Sequence, residues 1–229
     1  MVIHYAQLIE YSQKEHQITV DEVRHFIKYT NELFRDLMIG AGHNPRQITR
    51  LTTKFRDAGR RSAPWRPTSS RVPGRPQDGA DGNRINRWLL PREHKFYADE
   101  ITATLVEIRF YFQALSMQNA PAIPNDDLKI SLRWLVGHDI QPGVYLDPIQ
   151  LIPINLNEVV QDASIIQSGH LTPLDRGGHH EPSNSYLMLK RSNSLQGNLK
   201  VDELLDLMDR ILERHQYRGR NQIRESRGE

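Results

Sequence analysis

A chain of 229 residues, with 38% hydrophobic and 25% charged side chains, is long enough for one large domain or two small ones. It holds no cysteine, which excludes disulfides and cysteine zinc sites; no structural zinc is expected, and any metal must use oxygen or imidazole ligands. The formal net charge of +2 conceals a block: residues 46–75 carry nine Lys or Arg against one acid, Asp57, a local +8 that leaves −6 for the rest.

No run of eighteen apolar residues occurs, so no membrane partner is expected. The opening "MVIHYAQLIEYSQKEH" has neither the charged start nor the apolar core of a signal peptide, and the expected location is cytoplasmic. Residues 3–15 read as a helix. "TVDEVRHFIKYTNELFRDLMIGAG" reads as a second, because Thr19 and Glu22 have capping-box spacing and Val23, Phe26, Ile27, Leu33, Phe34 and Leu37 share a face. Gly40 or Gly42 can end it. The basic block comes next, helical to about Ala58. From 59 to 82 it is rich in Pro, Gly, Ser and Arg and reads as a long, disordered loop. Residues 97–117 make the next helix, with Ile101, Leu105, Ile108, Phe112 and Leu115 as its apolar stripe. A shorter helix over 125–136 has Asn125 as its cap.

The character changes at Gly137. From there the chain is punctuated by Pro and Gly and reads as irregular, with short strands, the last near 165–167. His138, Asp139 and Asp147 in this stretch fit no metal template and read as turn and strand-edge residues. The stretch "SGHLTPLDRGGHHEPSNSYLMLKRSNSLQGN" (168–198) is polar apart from Tyr186-Leu187-Met188-Leu189, a second strand. After Gly197 the helical period returns, with Val201, Leu204, Leu205, Met208, Ile211 and Leu212 on one face, and a polar, basic tail from Tyr217 reads as frayed.

Three residues of the polar stretch stand out by order and spacing. His170 lies just after one strand. Asn184 lies fourteen positions later, at the start of the next. Asn193 lies nine beyond that, where the strand gives way to helix. A hairpin folded onto a helix brings the three side chains together.

The segments "GHLTPLDRGG", "PSNSYLMLKRSN" and "SLQGN" resemble the motif of the HNH, or ββα-metal, nucleases. His170, Pro173, Gly177, Gly178, Asn184, Leu187 and Asn193 occupy the matching places, over about residues 160–215. The resemblance implies an α+β chain: a mainly helical region over 1–136, carrying a basic DNA-contacting loop at 46–82, joined to a ββα-metal module over 137–229. It implies an endonuclease that cuts double-stranded DNA with magnesium, manganese being the alternative, and leaves 5′-phosphate and 3′-hydroxyl ends. So large a helical region suits a type II restriction enzyme, and the class implies a homodimer on a palindromic site.

By the same resemblance His170 is the general base, Asn193 binds the metal through its side-chain oxygen, and Asn184 fixes the loop and orients His170. The chemistry explains these residue types. A neutral imidazole can take a proton from water near pH 7. A hard cation stabilises the phosphate and the departing oxygen, and it keeps most of its waters, so few protein ligands suffice. The sequence departs from the family at Gly169, where an Asp or His is usual as a second metal ligand. Asp175, His179 and His180 are the neighbours that could replace it; otherwise the two histidines read as a solvated turn. The basic block suits a phosphate backbone, so Arg60, Arg61, Arg66 and Arg71 are expected DNA contacts, with Lys190 and Arg191 beside the site and Trp65 able to stack. Two alternatives stay open: a catalytically degenerate nucleic-acid-binding protein on the same fold, and a nuclease subunit that depends on a partner.

Overall fold

A computed structural model of the chain describes residues 4–62 and 84–227. Helix α1 (Tyr5–Gln13) leads into α2 (Val20–Gly40). The start of α2 is set by the expected capping box: the Glu22 amide donates to Thr19 Oγ1 at 3.3 Å, and the Thr19 amide donates to the Glu22 carboxylate at 2.9 Å. Helix α3 (Pro45–Gly59) opens on Asn44, whose side-chain oxygen accepts from the Arg46 amide at 2.9 Å. Two residues of the loop expected over 59–82 form a strand instead: β1 (Arg61–Ser62) pairs antiparallel with β2 (Ile85–Asn86). Trp65, Arg66 and Arg71 lie outside the described residues.

Helix α4 (Glu100–Ala114) falls within the expected 97–117, but its surroundings differ from the expected one-sided stripe. Every residue from Ala103 to Ala114 is buried. The reason is composition: Glu107 and Arg109 are its only charged residues over that span, so no polar face exists to turn to water. It forms the centre of the apolar core, with α2 and α3 packed on it. The helix expected over 125–136 is two short ones, α5 (Asp126–Ser131) and α6 (Arg133–Val136). Asn125 caps the first, accepting from the Leu128 amide at 2.8 Å, and Gly137 ends the second at φ +83°. Helix α7 (Leu156–Gln161) lies in the stretch read as irregular. Six residues are under two turns, too few for a helical period to show.

The C-terminal part holds the hairpin. Strands β3 (Ile166–His170) and β4 (Ser185–Leu189) pair antiparallel, with Ile166 opposite Leu189 and His170 opposite Ser185. Helix α8 (Lys190–Gln196) comes directly after β4, then α9 (Val201–Arg227), which continues as helix where a frayed tail was expected. The mixture of helices and small two-stranded sheets is α+β. No helix among the described residues is long and apolar enough to cross a membrane.

A two-stranded hairpin is marginal on its own. Here side chains of α4 and of the irregular chain after Gly137 satisfy its outer edge. The Leu187 amide donates to Gln113 Oε1 at 3.0 Å, its carbonyl accepts from the Tyr145 hydroxyl at 2.6 Å, and the Leu189 amide donates to Asp147 Oδ2 at 2.8 Å. Asp147 is fully buried; its other oxygen accepts from the Ile149 and Gln150 amides and from Ser192 Oγ in α8. The turn role expected of Asp147 is therefore present, and the same carboxylate also fixes the junction of β4 with α8, which aims Asn193.

Candidate active site

His170 ends β3. Its Nε2 lies 3.0 Å from His180 Nδ1, and His180 Nε2 lies 2.7 Å from the carbonyl oxygen of Gly59, at the end of α3. The carbonyl can only accept, so His180 Nε2 carries a proton. The neutral His180 ring then has a bare Nδ1, which accepts from His170 Nε2–H. The proton that remains to His170 is thus on Nε2, and Nδ1 is left as its basic nitrogen.

Both rings are held neutral. Burial and the nearby Arg87 guanidinium lower His170 to about 4 and push His180 well down from its ordinary value. Arg87 is itself buried and, among the described residues, donates only to carbonyls: Gly59 at 3.0 Å, Phe96 at 3.1 Å and Ala58 at 3.2 Å. Burial lowers it too, to about 9, where it still carries its charge at neutral pH. One carbonyl, Gly59, therefore serves both the relay and the cation that keeps the relay uncharged. Gly59 has no room for a side chain, since a Cβ there would lie 2.6 Å from Glu107 Cβ. At pH 7 both imidazoles are expected as Nε2–H tautomers in long-range proton–nitrogen NMR of the folded protein. A proton on His170 Nδ1 would overturn the relay.

The expectation of a solvated turn at 179–180 holds for one residue only. His179 is exposed, whereas His180 is 3% exposed and is the hydrogen-bond partner of the proposed base. Asn184 does not bond His170 among the described contacts. It clamps the loop from 171 to 183: its oxygen accepts from the Thr172 amide at 2.8 Å, and its nitrogen donates to the carbonyls of Thr172 and His179, both at 2.9 Å. That places the peptide before His180, so Asn184 reaches His170 through the relay. Gly178 lets the loop close, because a Cβ there would collide with the Thr172 carbonyl, and Gly177 takes a positive φ of 82°.

Asn193, on α8, donates from Nδ2 to Gln167 Oε1 at 2.8 Å, which fixes which way the amide points. Its Oδ1 faces Gly169: a Cβ on Gly169 would lie 2.8 Å from that oxygen and 2.6 Å from Met188 Sδ. The missing acid of the motif is thus a packing fact, since Met188 and Asn193 fill the space. Asp175 pairs with Lys95 at 2.6 Å, His179 is exposed, and both nitrogens of His180 are engaged. Among the described residues no group of three His, Asp or Glu side chains could hold a metal ion. One hard amide oxygen, fixed in direction, fits a cation that keeps most of its waters, such as magnesium.

The expected DNA contacts divide. Lys190 and Arg191 are exposed on the first turn of α8 and line a cleft of about 1100 Å³ with Ile154, Leu189 and Leu195. A second cleft, of about 380 Å³, is lined by Lys54, Arg61, Arg84 and Arg87, by Gln167 and Ser168 of β3, and by Asp57, its only acid among the described residues. Lys54 and Arg84 were not singled out from sequence; only the fold turns them to the same cleft as β3. Arg60 is committed elsewhere, to an ion pair with buried Glu107.

That pair has a measurable signature. Burial raises Glu107 to about 7, against the pull of Arg60. The folded chain keeps the Glu107 proton up to about pH 7, while the unfolded chain loses it near 4.5, so this group's contribution to stability falls as pH rises through that window. Arg60→Ala leaves the carboxylate buried and alone. The group then takes up a proton instead, so the change is expected to cost about 1–2 kcal/mol in denaturant unfolding at pH 8, and distinctly less at pH 5, where Glu107 is already protonated. A pH-independent loss under about 0.5 kcal/mol would mean that Arg60 is an ordinary surface cation.

No protein-family model matches the chain. No curated protein matches it either. One solved structure with a similar arrangement is the crystal structure of a type II restriction endonuclease, 22% identical, with a TM-score of 0.46, over 58% of this chain and 62% of that one. The chain thus spans under two thirds of that enzyme.

Proposed function

We propose that the protein is a metal-dependent endonuclease of the HNH type that hydrolyses double-stranded DNA, acting as a restriction enzyme, with residues 137–229 as its nuclease module. The observation that carries this reading is the state of His170: a neutral imidazole with Nε2 fixed on His180 and Nδ1 free to act as a base, on a hairpin whose adjoining helix α8 turns the Asn193 oxygen to the neighbouring Gly169. His170 Nδ1 would take the proton from the attacking water. The His180–Gly59 contact would hold the ring and its tautomer through that transfer. Asn193 Oδ1 would hold a magnesium ion, or manganese; bound there, the cation supplies positive charge to the phosphate and the departing 3′ oxygen. Lys190, Arg191, Arg61 and Arg84 would bind the phosphates on either side of the cut.

The test is cleavage of supercoiled plasmid by the purified chain with magnesium or manganese. Nicked and linear product is expected, and a larger DNA should give discrete bands. A smear would leave the nuclease and remove the restriction reading. Binding without cleavage across several divalent metals would overturn the enzyme reading in favour of a degenerate nucleic-acid-binding protein. Activity only with a second protein would make the chain a subunit.

The phosphate contacts have their own test. Arg61→Ala with Arg84→Ala should weaken binding to all sequences alike and flatten the log–log salt dependence by roughly two. An unchanged slope would take the cleft beside β3 out of the DNA interface.

A further inference from the structure

The turn between Leu146 and Pro153 carries a bare leucine in a conformation that leucine rarely takes. Leu151 has φ +54°, in the left-handed region that favours glycine and asparagine. Little packing offsets this. At 70% exposed, it is the most exposed large apolar side chain among the described residues.

The turn nevertheless holds the residue firmly. Leu146 and Pro153 form an isolated antiparallel bridge at its neck. The Asp147 amide donates to the Ile152 carbonyl and the Leu151 amide to the Asp147 carbonyl, both at 2.8 Å. The buried Asp147 carboxylate accepts from the Ile149 and Gln150 amides. Gln150 Nε2 donates to Ser192 Oγ at 2.6 Å, which ties the turn to α8 between Arg191 and Asn193.

That position says what the leucine meets. The next two residues, Ile152 and Pro153, line the same cleft as Lys190 and Arg191, in which Glu158 is the one acid among the described residues. A duplex with phosphates on those two cations would lie against the turn. A polar tip would serve phosphate binding equally well. An apolar tip can leave water there only between base pairs, whose stacked faces are the apolar part of the duplex.

We propose that Leu151 is a wedge that enters between two adjacent base pairs of the DNA held by α8, parting their stack and kinking the duplex beside the cut. The turn is already ordered in the free protein, so little entropy is lost in fixing it on the DNA. The inference rests on the double-stranded DNA reading above, but not on cleavage.

Parting stacked base pairs lowers the twist of closed circular DNA, and measuring that requires no knowledge of the recognition sequence. The full chain is bound to closed plasmid in EDTA, the plasmid is relaxed with a metal-independent topoisomerase, and the protein is stripped off. Wild type is expected to lower the linking number in proportion to the protein bound. Leu151→Ala and Leu151→Asn should still bind but leave about half of that change or less at equal bound protein. Leu151→Met, which keeps an apolar wedge, should retain most of it. Leu151→Asn should also hold or raise the melting point, because asparagine accepts the left-handed conformation. Failure of wild type to bind plasmid would overturn the DNA reading and the wedge together. Binding with no change in linking number, or with the same change in every variant, would overturn the wedge and leave the DNA reading standing. A clear fall in the melting point of Leu151→Asn would make the leucine a structural part of the turn and overturn the wedge as well.

Discussion

Replacing His170 by alanine is expected to lower magnesium-dependent cleavage by about 10²–10⁴-fold, the usual worth of a positioned general base. DNA affinity should hold, because the proposed phosphate contacts lie on α8 and in the cleft beside β3, not on this ring. The melting point should fall by only a few degrees. Among the described residues the ring makes one side-chain hydrogen bond, to His180, so alanine removes that bond and some packing while the Asn184 clamp stays intact. His180→Phe supplies the graded comparison. It keeps a buried ring in place but gives His170 Nε2 no acceptor, so a loss of about 10–100-fold is expected, as for residues that orient a functional group from behind. The order of the two effects carries the argument. If His180→Phe costs as much as His170→Ala while His170→Ala still cleaves slowly, the base is His180. If neither changes the rate, the cutting is done elsewhere.

The parts of this arrangement that sequence makes visible are those decided by neighbours in the chain. Thr19 and Asn125 are caps because the groups they satisfy are three residues on, and spacing alone discloses that. The hairpin is visible for the same reason: two short apolar runs bounded by Gly and Pro, with a polar loop between. Order and spacing also suffice to bring Asn184 and Asn193 against the residues that flank His170. What stays hidden depends on distant chain. His180 is buried by a carbonyl 121 positions away, and a Gly-Gly-His-His turn gives no sign of it. Arg60 and Arg61 are adjacent in a basic block, yet one turns to Glu107 on α4 while the other lines the cleft beside β3. Arg87 looks like one more cation beyond that block, and only burial among three carbonyls shows it acting on two histidines. The burial of α4 on every side from Ala103 to Ala114 is hidden too, because a helix with few charges still displays a stripe when only its largest residues are counted.

Gly169→Asp should destabilise the protein rather than complete its site. The family pattern puts an acid at this position as a second metal ligand, so on sequence grounds the change looks like a repair. The space says otherwise. A Cβ at 169 would meet Met188 at 2.6 Å and Asn193 Oδ1 at 2.8 Å. The thioether end of Met188 can swing aside, but it is fully buried and has little free volume to move into. The Asn193 amide is held by the bond its Nδ2 donates to Gln167 Oε1, so the oxygen gives way only by breaking that bond. Overpacking of this kind costs about 1–3 kcal/mol, and a carboxylate beside an amide oxygen adds repulsion. A fall in melting point of about 5 °C is expected for a loss near 2 kcal/mol in a chain of this size. Cleavage should fall with it, because the displaced atom is the proposed metal ligand. A double-mutant cycle separates the two contacts: Gly169→Ala should cost measurably less in an Asn193→Ala background, where the oxygen is gone, than in wild type. Equal costs would place the clash on Met188 alone. An unchanged melting point together with tighter magnesium binding by Gly169→Asp would mean that the position has room for the acid. The glycine would then be an incomplete ligand set rather than the consequence of how α8 packs on the hairpin.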